Sequence, residues 1–252
     1  MRLAAFTAVA AMCISAGACD SATGPEASPF PSLPGISDAV IPDSLRPAYQ
    51  DDAVRLALRF LEATHSPARN SVEPPAALVR TLRDALTHVY LFEHAARDTV
   101  IEVMRIHTFP NPPLYELIVG VDTSHAWVSE WRAGHRLTGQ PSVDALLEQY
   151  QLSLREYYPW SFGHAVVLRA AEPLNMAALA RRFVGIAGVR YAEPNGYMGD
   201  GNDIRARVQG SGWRLDYSLG AGDCPAGCTV RITWSFLVDH AGTVSYLGRS
   251  GS

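Results

Sequence analysis

Two cysteines four residues apart are the first candidates for chemistry in this chain of 252 residues. Cys224 and Cys228 belong to the loop Gly-Asp-Cys-Pro-Ala-Gly-Cys. A disulfide can close so small a ring within a turn, and the chain-entropy estimate for it is about 2 kcal/mol. Redox pairs favour Cys-x-x-Cys at a helix N-terminus, and a zinc site needs two further ligands. The spacing therefore favours a structural disulfide over redox or metal chemistry.

Oxygen-bearing side chains cluster just before and within the same region. Asp200, Asn202 and Asp203 lie within four residues, and Asp223 precedes the first cysteine of the loop. Calcium prefers such ligands but needs about six to eight of them, and the EF-hand spacing is absent. Residues 199–203 are therefore predicted to form a tight turn, because Gly, Asp and Asn tolerate left-handed backbone. The four polar side chains remain candidate site residues, and we predict no metal and no cofactor.

The histidines offer the remaining acid–base chemistry. None of the eight forms His-x-x-x-His or His-Glu-x-x-His, and no Gly-x-Ser-x-Gly, phosphate-binding loop or dinucleotide fingerprint occurs. His107, in Ile-His-Thr-Phe-Pro, is placed at the end of a predicted strand. It is expected to bond to the backbone at this proline-rich corner; the alternative is a catalytic role in a hydrolase.

The N-terminus predicts export. Arg2 precedes an apolar run of about 16 residues, which is shorter than the roughly 20 that a bilayer span needs. Residues 1–18 are therefore predicted to be a signal peptide. The Ala-Gly-Ala-Cys sequence ending at Cys19 resembles a bacterial lipoprotein lipobox, and this resemblance implies cleavage before Cys19 and its acylation. The same Ala-x-Ala pattern would also serve an ordinary signal peptidase.

The cysteine count favours the lipoprotein interpretation. Cys13 leaves with the signal, and an odd cysteine in an oxidising compartment needs an explanation. If Cys19 is acylated, Cys224 and Cys228 pair and no thiol is left over. Residues 19–47 are rich in proline and predict a flexible linker. We therefore expect a lipid-anchored protein on the periplasmic or surface side of the bacterial envelope, with the membrane as one partner and a protein as a possible second.

Composition limits the other partners. The chain is 48% hydrophobic and 18% charged with a net charge of −4, an ordinary globular balance. All 21 basic residues are arginine, and the charge is weakly acidic and scattered. No basic field exists to hold nucleic acid, so no nucleic-acid partner is expected.

Periodicity divides the body into three regions and predicts an α+β fold. Region 48–113 predicts helices over 49–63 and 75–94, from apolar residues at helical spacing, and a strand over 99–108. Region 114–198 reads βαββαβ, the ferredoxin-like arrangement, with its first strand over 115–122. Region 199–252 alternates apolar and polar residues and predicts a four-stranded antiparallel meander.

Two stretches resemble known groups. Residues 175–195, NMAALARRFVGIAGVRYAEPN, resemble the last unit of subtilisin-type propeptides and related protease inhibitors. That resemblance implies a ferredoxin-like domain that covers a protease and leads a tail into its cleft. Only 57 residues follow (252 − 195) and they carry no protease triad signature, so the chain is not itself such a protease. The Gly-Asp-Cys-Pro-x-Gly-Cys loop resembles that of an uncharacterised group of exported bacterial lipoproteins, which implies a compartment and a shape but no activity.

These observations predict a non-catalytic binding or envelope-maintenance module that contacts a protein through an exposed edge strand or the cysteine loop. Two alternatives remain open: a hydrolase with an unfamiliar site near His107, and a protease inhibitor of the propeptide type.

Overall fold

The computed structural model describes residues 30–161 and 163–251 of the chain. The predicted signal peptide, Cys19 and the linker as far as residue 29 lie outside these residues. The α-helices are α1 (Arg46–Ala63), α2 (Ala76–Leu91), α3 (Ala95–Arg97), α4 (Val128–Arg132), α5 (Pro141–Gln149) and α6 (Met176–Phe183). The strands are β1 (Glu116–Val121), β2 (Leu152–Trp160), β3 (Gly163–Ala170), β4 (Val189–Pro194), β5 (Asp203–Gln209), β6 (Gly212–Ala221), β7 (Val230–Val238) and β8 (Val244–Ser250).

The first two helices form where the apolar spacing predicts them. In α2, Leu78, Leu82, Leu86 and Val89 are all buried and lie on one face because they recur at three- and four-residue spacing. The helix ends at Leu91, three residues before the predicted end, and the next residue is extended. The apolar stripes of α1 and α2 pack together in one core with the second sheet described below.

The strand predicted over 99–108 is wrong. Asp98–Val103 forms a π-helical turn, and the chain then runs without regular structure into β1. Thr, Val and Ile dominate this stretch and favour strands by propensity. Only Val100 of that turn is buried. The segment therefore lacks the alternating buried residues with which a strand packs against a core. The short helix α4 is absent from the sequence-based expectation, although its Trp131 is fully buried.

The first sheet has the order β2-β3-β1-β4, and every neighbouring pair is antiparallel. Along the chain its elements run β1, α4, α5, β2, β3, α6, β4. Alternate residues of β1 and β3, such as Val119 and Leu168, are buried against α5 and α6 in a second core. All four strands expected between residues 115 and 193 are present.

The second sheet is a meander in which β5, β6, β7 and β8 pair in chain order, all antiparallel. Trp213, Leu215 and Tyr217 alternate along β6 with polar residues and are buried toward α1 and α2. The structure is thus an α+β fold with two antiparallel sheets and two apolar cores. No helix in the described part of the chain has both the length and the apolar character needed to cross a membrane.

Candidate functional site

A row of polar side chains follows one face of α1. Asp52, Arg55 and Arg59 recur at three- and four-residue spacing, so they lie on the same side of the helix. The irregular segment 107–113 lies against this face, with a cis peptide bond between Asn111 and Pro112. Arg55 donates from Nε to the carbonyl of Pro112 at 3.3 Å. The segment has no helix or sheet of its own, and α1 side chains supply most of its partners.

Asp52 is the most deeply buried charged group of this row. Its side chain is 1% exposed and accepts hydrogen bonds from His107 Nδ1 at 2.7 Å, from the Thr108 amide at 2.8 Å and from Thr108 Oγ1 at 2.6 Å. The partner of His107 is therefore a buried carboxylate rather than the backbone. The hydrogen bond to Asp52 is the largest influence on His107 and raises its pKa above 6.5, while burial acts in the opposite direction.

Arg59 joins three parts of the chain. Its guanidinium donates to Asp203 Oδ1 at 2.7 Å, to the carbonyl of Ile204 at 3.0 Å and to that of Phe109 at 2.9 Å. It also donates to the carbonyl of Asn111. The Asp203 side chain is only 7% exposed and accepts the Phe109 amide at 2.8 Å as well. We call the contacts among these five residues the Arg59 clamp; they fix α1, segment 107–113 and the start of β5 to one another.

Asp200 ties the cysteine loop to the sheet. Its Oδ2 accepts Arg231 Nη2 at 2.6 Å and the Cys228 amide at 3.3 Å, and its own amide donates to the carbonyl of Cys224 at 2.8 Å. The hydrogen bond from Arg231 is the main reason that the pKa of Asp200 lies below its ordinary value. Cys224 and Cys228 form the disulfide that their spacing favours. These polar groups hold the cysteine loop against the second sheet.

The remaining predicted site residues do not converge. Asn202 Oδ1 accepts the Gly220 amide at 3.2 Å, which holds this connection against β6. The tight turn predicted over 199–203 is not found: residues 199 and 202 are bends, and Asp203 already belongs to β5. Asp223 is exposed on the cysteine loop. Within the described residues, no three His, Cys, Asp or Glu side chains are grouped so that they could hold a metal ion.

A cavity of about 680 Å³ lies beside this region, between α1 and β5. Phe60 and Phe109 give it apolar walls, and both Asp200 and Asp203 line it. His107 and Asp223 are not among its lining residues. Two of the five sequence-predicted side chains of this region therefore meet at one concave surface.

Two arginines on β5 complete the rim of the cavity. Arg205 and Arg207 line it, and their side chains are 73% and 60% exposed. Both belong to the polar face of the meander, which the sequence alternation predicts, whereas Arg59 and Asp52 give no signal beyond a polar helix face. The contacts of Arg59 and Asp52 are with residues that are about 50 to 150 positions away in the sequence.

The backbone of β5 also faces the cavity. In an antiparallel ladder, residues direct their N–H and C=O groups alternately toward the partner strand and away from it. A β6 side chain donates to the carbonyl of Asp203, whereas Arg59 donates to that of Ile204. Ala206 and Val208 follow Ile204 at the two-residue period. Their backbone groups therefore point away from β6, along the cavity.

His107 is oriented by a carboxylate as a general base would be, but within the described residues no hydroxyl or thiol donates to its Nε2. Comparison of the chain with protein-family models, with curated proteins and with solved structures finds no match.

Replacement of Arg59 by methionine is expected to lower the free energy of unfolding by about 3 kcal/mol, because it leaves the Asp203 carboxylate buried without its main partner. Arg205→Met is the matched control, since Arg205 approaches the same carboxylate at 3.4 Å but is 73% exposed. It should cost less than about 1 kcal/mol. Urea unfolding measures both; equal losses in the two variants would show that the clamp is not a stabilising interaction.

The His107–Asp52 contact predicts a pH dependence of stability. Since folding raises the pKa of His107, its contribution is fully present below pH 6.5 and is lost as the pH rises through the raised pKa. Wild-type protein should therefore lose stability over this range, and the His107→Gln variant should lose less. Urea midpoints at a series of pH values between about 6 and 9 test this. Parallel curves for the two proteins would contradict it.

Proposed function

We propose that the protein is an exported, lipid-anchored binding module of the bacterial envelope and does no chemistry of its own. One observation carries the proposal: the charged side chains gathered at the site, Arg59, Asp203 and Asp200, are occupied in holding the scaffold. Beside them lie a cavity and an outward-facing strand edge, which suit recognition of a ligand.

The lipid anchor rests on the cysteines. Cys13 belongs to the predicted signal, and Cys224 bonds to Cys228, so Cys19 is left as the thiol that needs a chemical fate. Acylation at Cys19 supplies that fate and gives the protein its membrane partner. Two or three acyl chains anchor firmly, since each buried methylene contributes about 0.8 kcal/mol.

The region from 114 to 198 is proposed to be a ferredoxin-like unit. The order β2-β3-β1-β4 and the chain order βαββαβ are what the split βαβ arrangement requires, and they support this assignment. Such a fold hosts many functions, so it does not identify the ligand by itself.

A protease inhibitor of the subtilisin-propeptide type is the second candidate, and the segment after β4 favours it. Tyr197 and Met198 are 65% and 94% exposed, where the resemblance places a tail that enters a protease cleft. The segment then returns to the fold, because the Asp200 amide bonds to Cys224.

Addition of the purified body to a panel of subtilisin-like proteases tests this candidate. If it is correct, turnover falls at near-equimolar protein, and Met198→Asp weakens the effect because a charged side chain replaces the most exposed apolar one. Val184→Asp, at another exposed apolar position, is the control that should inhibit as the wild type does. Unchanged turnover across the panel removes the inhibitor function.

Metabolic labelling with a palmitate analogue tests the envelope assignment. The full-length chain should be labelled and should fractionate with membranes, and Cys19→Ala should abolish both because it removes the thiol to be acylated. Cys13→Ala, within the segment predicted to be cleaved, is the control and should still be labelled. An unlabelled wild-type protein in the cytosolic fraction would refute the assignment.

A further inference from the structure

We propose that β5 receives an extended polypeptide segment with alternating apolar and acidic residues, which pairs with it as an added strand. This inference rests on the proposed binding function and names the class of its ligand. Strand addition of this kind uses main-chain hydrogen bonds for affinity and alternate side chains for specificity.

β5 differs from the other sheet edges in the described part of the chain. The register shifts at the remaining three edge pairings, between Leu154 and Glu156 in β2, between Gly120 and Val121 opposite β4, and between Ser235 and Phe236 opposite β8. Such irregularities disrupt the hydrogen-bond ladder and make the edge less able to pair with a further strand. All seven residues of β5 pair with β6 without a shift, so β5 offers a regular template.

The backbone groups needed for strand addition are in place. The Arg59 clamp occupies the outward carbonyl of Ile204 and thereby sets one end of the free edge. Ala206 and Val208 then present two N–H and two C=O groups to the cavity, by the alternation described above. No side chain of the described residues bonds to these groups.

The side chains around the edge define two different faces for the ligand. On the inner face, Phe60, which packs against Trp213, and the 41% exposed Val208 provide apolar contacts. On the outer face stand the exposed guanidinium groups of Arg205 and Arg207. Because successive residues of a strand point to opposite faces, a segment that alternates apolar and acidic residues matches both.

The outer face carries an excess of positive charge. Arg207 lies directly opposite Arg214 in the β5–β6 register, and like charges in this position repel. Asp216 bonds Arg214 at 2.7 Å but is 3.7 Å from Arg207, so one carboxylate serves both cations. An acidic side chain on an added strand would supply the missing counter-charge.

The same charges argue against a second copy of this chain as the occupant. Pairing of two β5 edges would bring the Arg205 and Arg207 side chains of both copies onto one small sheet surface. Like-charge contacts of this kind are a common means of preventing edge-to-edge association. The occupant that fits is therefore a different, acidic segment.

Fluorescence anisotropy with labelled six-residue peptides tests the proposal on the full chain. A peptide alternating valine and glutamate should bind, and the peptide with lysine in place of glutamate should bind at least about tenfold more weakly. N-methylation of alternate backbone nitrogens should abolish binding, since it removes the donors of an added strand.

The double variant Arg205→Gln, Arg207→Gln should weaken binding at least about tenfold, whereas Arg190→Gln, on β4, should leave it unchanged.

Ala206→Pro provides a backbone test with the charges intact. The Ala206 amide points away from β6, so proline removes a donor to the ligand without removing a ladder bond. Binding should be lost while the circular dichroism spectrum is retained. If this variant does not fold, the N-methylated peptide gives the same test on wild-type protein.

Three outcomes would overturn the proposal. Undiminished binding of the N-methylated peptide would place the ligand away from the β5 backbone, and equal binding of the lysine peptide would remove the role of the arginines. If no peptide binds and the double arginine variant dimerises, the arginines only prevent two β5 edges from pairing with each other. If the peptide does not bind while Cys19 is acylated, the ligand class is wrong and the envelope assignment stands. If the peptide binds while Cys19 is unlabelled, the ligand class stands and the envelope assignment is wrong.

Discussion

One guanidinium group, that of Arg59, holds α1, segment 107–113 and the start of β5 together. Arg59 has planar donors in a fixed fork, and it satisfies a nearly buried carboxylate and backbone carbonyls from two separate segments. Without it, the Asn111 carbonyl in the irregular segment 107–113 would lose its donor from α1, whereas the Pro112 carbonyl would keep Arg55. Because Asp203 is the first residue of β5, the same contact sets where the free edge of the second sheet begins.

This use of charge is the basis of the proposed binding function. Catalytic groups must be free to exchange protons or to attack a substrate. Asp52, Asp203 and Asp200 each accept several hydrogen bonds from groups of the scaffold itself. Around the cavity lie the outward backbone groups of β5, aromatic surface and the guanidinium groups of Arg205 and Arg207, whose ion pairs with Asp203 and Asp216 are largely exposed to solvent.

The sequence predicts the parts of this protein whose signals are local. Helices α1 and α2 follow from apolar spacing, the meander from two-residue alternation, and the disulfide from a separation of four residues. The segment 98–103 shows where local signals fail, because its β-branched residues favour a strand that no neighbouring strand is placed to pair with. The tight turn predicted over 199–203 is replaced by bends and the start of β5, because Asn202 bonds to Gly220 and Asp203 pairs with β6.

The central contacts escape such analysis for a physical reason. Arg59 and Asp203 are separated by 144 positions, and Asp52 and Thr108 by 56, so only the folded chain brings them together. A polar stripe on a helix normally faces solvent, and nothing in the composition of α1 distinguishes it. The free edge of β5 is likewise a property of topology, since the residues of β5 alone do not show that it lies at the edge of its sheet.

Amide hydrogen exchange along β5 shows whether its outer edge is open. In the free protein, the amides of Ala206 and Val208 should exchange quickly while those of Arg205 and Arg207, bonded to β6, are protected. On addition of the acidic peptide, the two outward amides should become protected as well. Protection of Ala206 and Val208 in the free protein, or no change when the peptide is added, would contradict the open edge on which this account rests.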